Sequence, residues 1–468
     1  MRSKEVIPVE EKTERLRSQR MGTMPEGRLL LSMALPMMLS MLVQALYNIV
    51  DSIYVAKVSE DCLAALSLAF PAQHILIGLG TGTGVGVSTL VSRALGAGDS
   101  RQANRVAGNS LFLCLCCWTV MVLFGFFGAA GFIRSQTDVE SIRSYGVTYL
   151  RIVTIGSFFV YFEICLERLL QSTGLSRLSM WTQMIGAVTN IVLDPFFIFG
   201  WCGLPAMGTA GAAIATVIGQ GVGALFGLYF HLRFNKEIHI KLHHCRPRGR
   251  IIREVYRIGF PSILMVGIGS VTTYFMNIIL HSFTSTAVAV YGAFSKLQSF
   301  IFMPVFGINN GIIPIIGYNY GAGKKDRIYR TVRYGLLFAS AIGLIGFSLF
   351  QLLPRTLLGA FSASESMLAI GIPAMRIISI IFLAAGFCVV AGSVCQALDK
   401  SFAAFFVSIF RQVVGLVPAA WLLARLGNVN YVWWAFPIAE IFSLLFSWLF
   451  LRNALRSMEK KLALRTAS

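Results

Sequence analysis

The chain has 468 residues, of which 56% are hydrophobic and 13% charged. That is more apolar surface than a water-soluble fold buries, so a soluble globular class is excluded. The formal net charge of +19 suggests nucleic acid as a partner, but the basic residues cluster in particular segments between apolar runs and read as a topology signal instead.

Residues 1–28 are polar and charged. They lack a short apolar core followed by a small-residue cleavage site, so they read as a cytoplasmic N-terminal tail. Twelve apolar runs follow, starting near residues 29, 63, 103, 142, 178, 207, 254, 287, 328, 367, 402 and 431. Each has about 20 to 30 residues, the length of a spanning helix with some tilt. No strand-like alternation appears, which argues against a β-barrel. The first six runs form a bundle over 29–233, a basic linker covers 234–253, six more runs cover 254–457, and a tail follows at 458–468. With the N-terminus inside, the inner segments hold about 30 Lys and Arg and the outer ones about 5. Both termini are therefore expected in the cytoplasm of a multi-pass plasma (inner) membrane protein, with the lipid bilayer as partner and no nucleic acid.

The two bundles are copies. At a shift of 225 residues Pro36 meets Pro261, Gln73 meets Gln298, Gly82 meets Gly307 and Gly86 meets Gly311. At the same shift Gly96-Ala97-Gly98 meets Gly321-Ala322-Gly323, and Gln171 meets Gln396. Six spans return the chain to its starting side. The expected fold is therefore an all-α integral membrane protein, with twelve transmembrane helices in two six-helix bundles related by a pseudo-two-fold along the membrane normal. Two such bundles enclose a cleft, and rocking opens it to either side, which is the architecture of a secondary transporter.

Other chemistry is not encoded. GAGKK at 321–325 lacks the hydroxyl residue and upstream spacing of a phosphate loop. In GLGTGTGVG, Gly78, Gly82 and Gly86 recur every four residues, the spacing of close helix approach. There is no H-E-x-x-H or G-x-S-x-G, and His74 and His281 are isolated, so no enzyme is expected. His243-His244-Cys245 reads as a solvated loop, not a metal site. Nine cysteines read as packing residues; Cys62 and Cys202 both fall near the outer face and are the one pair weighed as a disulfide.

Charges within spans are the candidates for function, because insertion of Asp at a helix centre costs about 2.5 to 3.5 kcal/mol. Asp51 and Asp194 each sit six residues before the outer end of an outward-running span, about 9 Å deep at 1.5 Å per residue. Asn48 and Asn190 share the helix faces of these acids, and Thr216 reaches a similar depth. Pro195 removes the backbone N–H that would bond the carbonyl of Ile191, which predicts a helix bend beside Asp194. An acid, an amide and a freed carbonyl offer oxygen ligands for a proton or a small cation. Glu163, Glu167 and Arg168 lie near the inner end of span four, where pairing or snorkelling is expected, as for Arg151, Arg376 and Arg411. In the second bundle Lys296 and Glu440 lie at similar depth and are expected as a polar pair.

YNIVDSIYVAKV, the Gly-rich second span ending in SRALGAG, and NIVLDPFFIFG with MGTAGAAIATVIGQ, on a duplicated twelve-span frame, resemble the multidrug and toxic compound extrusion (MATE) family, in particular its bacterial MepA-like members. The resemblance covers residues 29 to 455. It implies a monomeric antiporter that expels amphipathic, often cationic, drugs or toxins in exchange for H⁺ or Na⁺, with no cofactor beyond that ion. It places the cation site at Asp51, Asn190, Asp194 and Thr216. It also sets Gln44 and Tyr47 facing the substrate cavity, with Asn48 beside them. Some Na⁺-coupled relatives carry acids in spans seven and ten; here the position matching Asp51 is Met276, followed by Asn277. A flippase for lipid-linked oligosaccharide is the alternative, kept open by Lys296, Arg151, Arg376 and Arg411.

Overall fold

The computed structural model describes residues 20–361 and 364–467, so most of the expected N-terminal tail lies outside the described residues. Every regular element in it is helical. We number the membrane-length helices in chain order. The first half holds α1 (Glu26–Ala56), α2 (Glu60–Gly96), α3 (Ser100–Arg134), α4 (Glu140–Ile155 and Ser157–Ser172), α5 (Ser176–Phe199) and α6 (Thr209–Phe234). The second half holds α7 (Gly249–His281), α8 (Ser285–Gly321), α9 (Lys325–Leu352), α10 (Glu365–Ala397), α11 (Ser401–Ala424) and α12 (Val429–Leu464). All twelve expected spans are present. The fourth is a pair of helices bent by 46° at Gly156.

Large apolar side chains remain exposed along one flank of α1, including Leu31, Leu35, Leu39, Leu46, Ile49 and Ile53. A surface this apolar suits lipid rather than water.

Local signals recur with the 225-residue shift. Ser59 caps α2 by accepting from the Cys62 amide at 3.1 Å, and Thr284 caps α8 by accepting from the Ala287 amide at 3.0 Å. Gly98 and Gly323 hold φ +76° and +71° just past the ends of α2 and α8, where a left-handed residue terminates a helix.

The last helix continues past the expected boundary at 458. No break occurs at 458: the last helix runs on to Ala467, with Met458 and Leu462 buried. MEKKLALR holds good helix formers and no Gly or Pro, so nothing stops the helix where the apolar run ends.

The inter-half linker lies between Phe234 and Gly249 and is tied to the start of α3. Asn109 Nδ2 donates to the His244 carbonyl at 3.1 Å, and the Arg248 amide donates to Asn109 Oδ1 at 2.9 Å. The linker's Glu237 is half-buried, and burial pushes its carboxyl up to about 7. A raised carboxyl pKa favours the docked linker while the group is protonated, and that contribution is lost as pH rises through 7. Backbone amides of residues 235–248 should therefore exchange with deuterium faster at pH 8 than at pH 6, after correction for intrinsic rates. Glu237→Gln should flatten the difference, and an unchanged pH dependence in that variant would exclude Glu237 as its source.

The halves meet through α1 and α2 on one side and α7 and α8 on the other. Glycines set the closest approaches, and they come in symmetric pairs. A Cβ on Gly82 would fall 2.4 Å from the Ile263 side chain, and one on Gly307 would fall 2.4 Å from that of Met38. A Cβ on Gly96 would fall 1.9 Å from the Tyr318 carbonyl oxygen, and one on Gly321 would fall 2.1 Å from that of Arg93. Ile263 and Met38, like Tyr318 and Arg93, are themselves 225 residues apart. The contacts thus obey the two-fold relation read from the chain.

These approaches lie toward the end bearing Gly96 and Gly321. Polar bridges reinforce that end. Arg93 donates to Asp399 Oδ2 and, at 3.0 Å, to the Ala397 carbonyl. Arg327 pairs with Glu26 at 3.2 Å. Asp399 holds a left-handed φ of +63°, where its pseudo-symmetric mate is Gly174 at +78°. The Arg93 bond keeps an aspartate in a conformation that glycine adopts without strain. Toward the opposite end, Gly267 and Gly292 face open space. The halves are packed together at the end bearing Gly96 and Gly321.

Candidate functional site

Asp51 faces the interior of the first half at 7% exposure, and Asp194 is fully buried. Asn190 Nδ2 donates to Asp194 Oδ1 at 3.2 Å and to Thr216 Oγ1 at 3.3 Å. Thr216 in turn donates to the Ala212 carbonyl at 2.9 Å. Asp51 acts electrostatically on Asp194, and both act on the Tyr47 and Tyr149 hydroxyls. The structure therefore brings together the expected Asp51, Asn190, Asp194 and Thr216, from α1, α5 and α6.

Three oxygens of this cluster are buried with no hydrogen-bond partner: Asp51 Oδ1, Asp194 Oδ2 and Asn190 Oδ1. Buried acceptors normally find donors, and unpaired charge in a low-dielectric interior is costly. A proton or a small cation offsets that cost. Among the described residues no group of three or more His, Cys, Asp and Glu is arranged to hold a metal.

Tyr47 is half-buried beside Gln44 and within reach of both acids. Asn48 is exposed and stays out of the cluster. The buried stripe of α1 runs through Tyr47, Asp51 and Val55, at four-residue spacing, and Asn48 falls on the flank of that stripe. Two residues were missed: Tyr149 of α4, fully buried, and Gln73 of α2, whose Nε2 donates to the Tyr149 hydroxyl at 2.7 Å. The exact recurrence of Gln73 at Gln298 was the available signal, though a repeat does not say what a residue touches.

Pro195 does not interrupt its helix. α5 is helical from Ser176 to Phe199, and its last turn is pinned to the start of α6. The Met207 amide donates to the Phe197 carbonyl at 3.0 Å, and that of Gly208 donates to Ile198 at 3.2 Å. A sharp break in this half, of 46°, lies at Gly156.

Glu163 and Glu167 are buried rather than snorkelled. Gln183 Nε2 donates to Glu167 at 2.7 Å. Arg168 bridges the halves, donating at 3.0 Å to Asn310 of α8 and to Gln171. Cys62 and Cys202 are free thiols, the first buried and the second exposed, so the weighed disulfide is absent.

The second half has no acid pair. The mates of Asp51, Asn190 and Asp194 are Met276, Gly415 and Ala419. The expected Lys296–Glu440 pair is also corrected. Lys296 is exposed, and Glu440, 5% exposed, faces Arg411 of α11 at 3.9 Å. Similar depth did not imply a shared face: Glu440 points toward α11, and Lys296 turns out of the bundle. Two cavities of about 290 and 510 Å³ lie on the inward side of this half, and Met41 of α1 completes the wall of the larger one. Arg151 and Arg376 are exposed.

Two similar helical halves, packed together at one end, with a buried acidic cluster toward the other end of the first half, define a membrane transporter. A family model described as MatE matches the chain twice, over residues 36–196 and 261–421, and the second match begins 225 residues after the first. The chain belongs to this family of multidrug efflux transporters. It is 25% identical over 408 residues to the multidrug export protein MepA of Staphylococcus saprophyticus, covering 87% of this chain and 89% of that protein. It is 24% identical over 420 residues to MepA of Staphylococcus aureus, covering 89% and 91%. A solved outward-facing multidrug resistance MATE family transporter of the MOP superfamily superposes with TM-score 0.89 at 24% identity, over 95% of this chain and 99% of that one.

Proposed function

We propose that the protein exports amphipathic, often cationic, organic compounds across the plasma membrane in exchange for H⁺ or Na⁺, as a monomer with both termini in the cytoplasm. The observation that carries this reading is the buried cluster of Asp51, Asp194 and Asn190, with three unpartnered oxygens, whose mates in the second half carry no acid. Such a cluster binds a cation more readily than an apolar half does, and its occupancy supplies the free-energy difference that alternating access needs.

The closed end carries Gly96, Gly321 and the basic linker, the side that charge bias assigns to the cytoplasm. Alternating access then requires the Gly96–Tyr318 and Arg93–Asp399 contacts to part. The relatives named multidrug export proteins support drugs as substrates. With Arg151, Arg376 and Lys296 exposed, basic groups do not converge on one site as a pyrophosphate would require.

Reconstitution in liposomes tests this. Ethidium should accumulate against its gradient when a proton gradient alone or a sodium gradient alone is imposed, and not without either. Failure under both gradients would overturn the reading.

A further inference from the structure

The second half carries an arginine that its own fold does not use up. Arg411 sits ten residues into α11 and thirteen from its end, roughly 15 Å and 20 Å along the axis, so it lies near the middle of its span. A cation at that depth is costly and is normally paired. Here the pairing is incomplete. The approach to Glu440 is 3.9 Å, beyond hydrogen-bond distance, and no hydrogen bond from the guanidinium to another side chain or carbonyl is formed among the described residues. Glu440 Oε1 is buried without a partner, although the weakly donating Cys388 thiol lies beside the carboxyl.

The guanidinium is open to space. Its side chain is 29% exposed and lines both cavities of the second half. The larger, about 510 Å³, is walled by Tyr291, Phe302 and Phe306, with Gln298 and Gln412 as neutral polar groups. That combines the volume, the apolar walls and the few convergent polar groups of a small-molecule site. Local structure adds to this. α11 forms a π-helical turn over Phe410–Leu416, a distortion that shifts the side-chain register at Arg411 and often marks functional sites.

We propose that this cavity binds the carboxylate of an amphipathic aromatic ligand, with Arg411 as its anchor. A guanidinium presents parallel N–H donors that match a carboxylate, and it stays charged at any physiological pH. Glu440 holds the guanidinium at the cavity wall and competes with the ligand for it. The aromatic body lies against Tyr291, Phe302 and Phe306. The proposal rests on the exporter reading and extends it: the substrate range includes compounds with an anionic group, received by the half that lacks the acid pair.

Equilibrium binding to purified protein in detergent tests this without transport. The probes are 1-pyrenebutyrate and its uncharged carboxamide, which share one aromatic body. Wild type should prefer the carboxylate by about tenfold to a hundredfold, the range of a charge-assisted hydrogen bond. Arg411→Gln should abolish that preference while carboxamide binding persists. Glu440→Gln, which removes the competing carboxylate and keeps the guanidinium, should raise carboxylate affinity severalfold. Equal affinity for the two probes in wild type, a preference that survives Arg411→Gln, or no gain in Glu440→Gln would overturn the proposal. Protein that shows the preference but fails to export ethidium would sink the exporter reading alone.

Discussion

Asp194→Asn should reduce gradient-driven ethidium export to the passive leak, a loss of about ten- to a hundredfold, while the protein still inserts and folds. The variant keeps the shape of the side chain. Its amide oxygen still accepts from Asn190 Nδ2, so the link to Thr216 through that amide is retained. What it loses is the ability to take up and release a proton, or to neutralise a cation with a full charge. Asp194 is fully buried and its Oδ2 has no partner, so the group performs no packing duty that asparagine cannot assume. Ethidium efflux from vesicles with an imposed gradient measures the loss, and binding of the drug to the purified variant shows that the fold survives. Asp51→Asn should behave alike, because the Asp51 carboxylate acts on Asp194 and its own Oδ1 is buried without a partner. Normal efflux in either variant would remove that residue from the coupling mechanism.

The second large effect lies at the opposite end of the halves. In Gly96→Ala the added methyl would stand 1.9 Å from the Tyr318 carbonyl oxygen, a contact that cannot form. Tyr318 belongs to the other half, so relief comes from separating the halves rather than from unfolding either one. Overpacking of a tight contact costs about 1 to 3 kcal/mol. Applied to a conformational equilibrium, that is about a 5- to 150-fold shift away from the state closed at this end. Spin labels at positions 101 and 326, pseudo-two-fold mates on exposed surface beside this contact, should report longer distances in the variant. An unchanged distance distribution would show that the contact does not govern the closed end. Gly321→Ala, which meets the Arg93 carbonyl, should do the same by symmetry.

These two expectations draw on features that differ in how far the chain reveals them. The halves and their two-fold relation were legible because glycines at interfaces cannot vary: Gly82, Gly86, Gly96 and their mates sit where a methyl would meet the facing helix. Repetition of small residues at fixed spacing therefore recorded the contact itself. The acids were legible because membrane interiors penalise charge, so Asp51 and Asp194 stood out against their apolar neighbours.

What escaped was orientation. Lys296 and Glu440 lie at the same depth, yet one turns out of the bundle and the other turns toward Arg411. Depth follows from counting residues, but the direction of a side chain depends on how each helix is rotated by its neighbours. Asn48 is exposed, since a three-residue step from Asp51 carries it off the inward-facing stripe of α1. Tyr149 carried no marker at all, because a tyrosine near a span's end is as common in packing as in a site. The 46° break at Gly156 carried no proline to announce it, while α5 stays helical through Pro195 and its last turn bonds to the approach to α6.

The central claim is that the acid cluster of the first half holds the ion exchanged for the exported compound. The most direct measurement is ion release on drug binding. Ethidium is added to purified protein in weak buffer, with a pH indicator for protons and radioactive sodium for Na⁺. The account predicts that wild type releases one of the two ions as drug binds, and that the Asp51→Asn/Asp194→Asn double variant releases neither. Release undiminished in the double variant would contradict it.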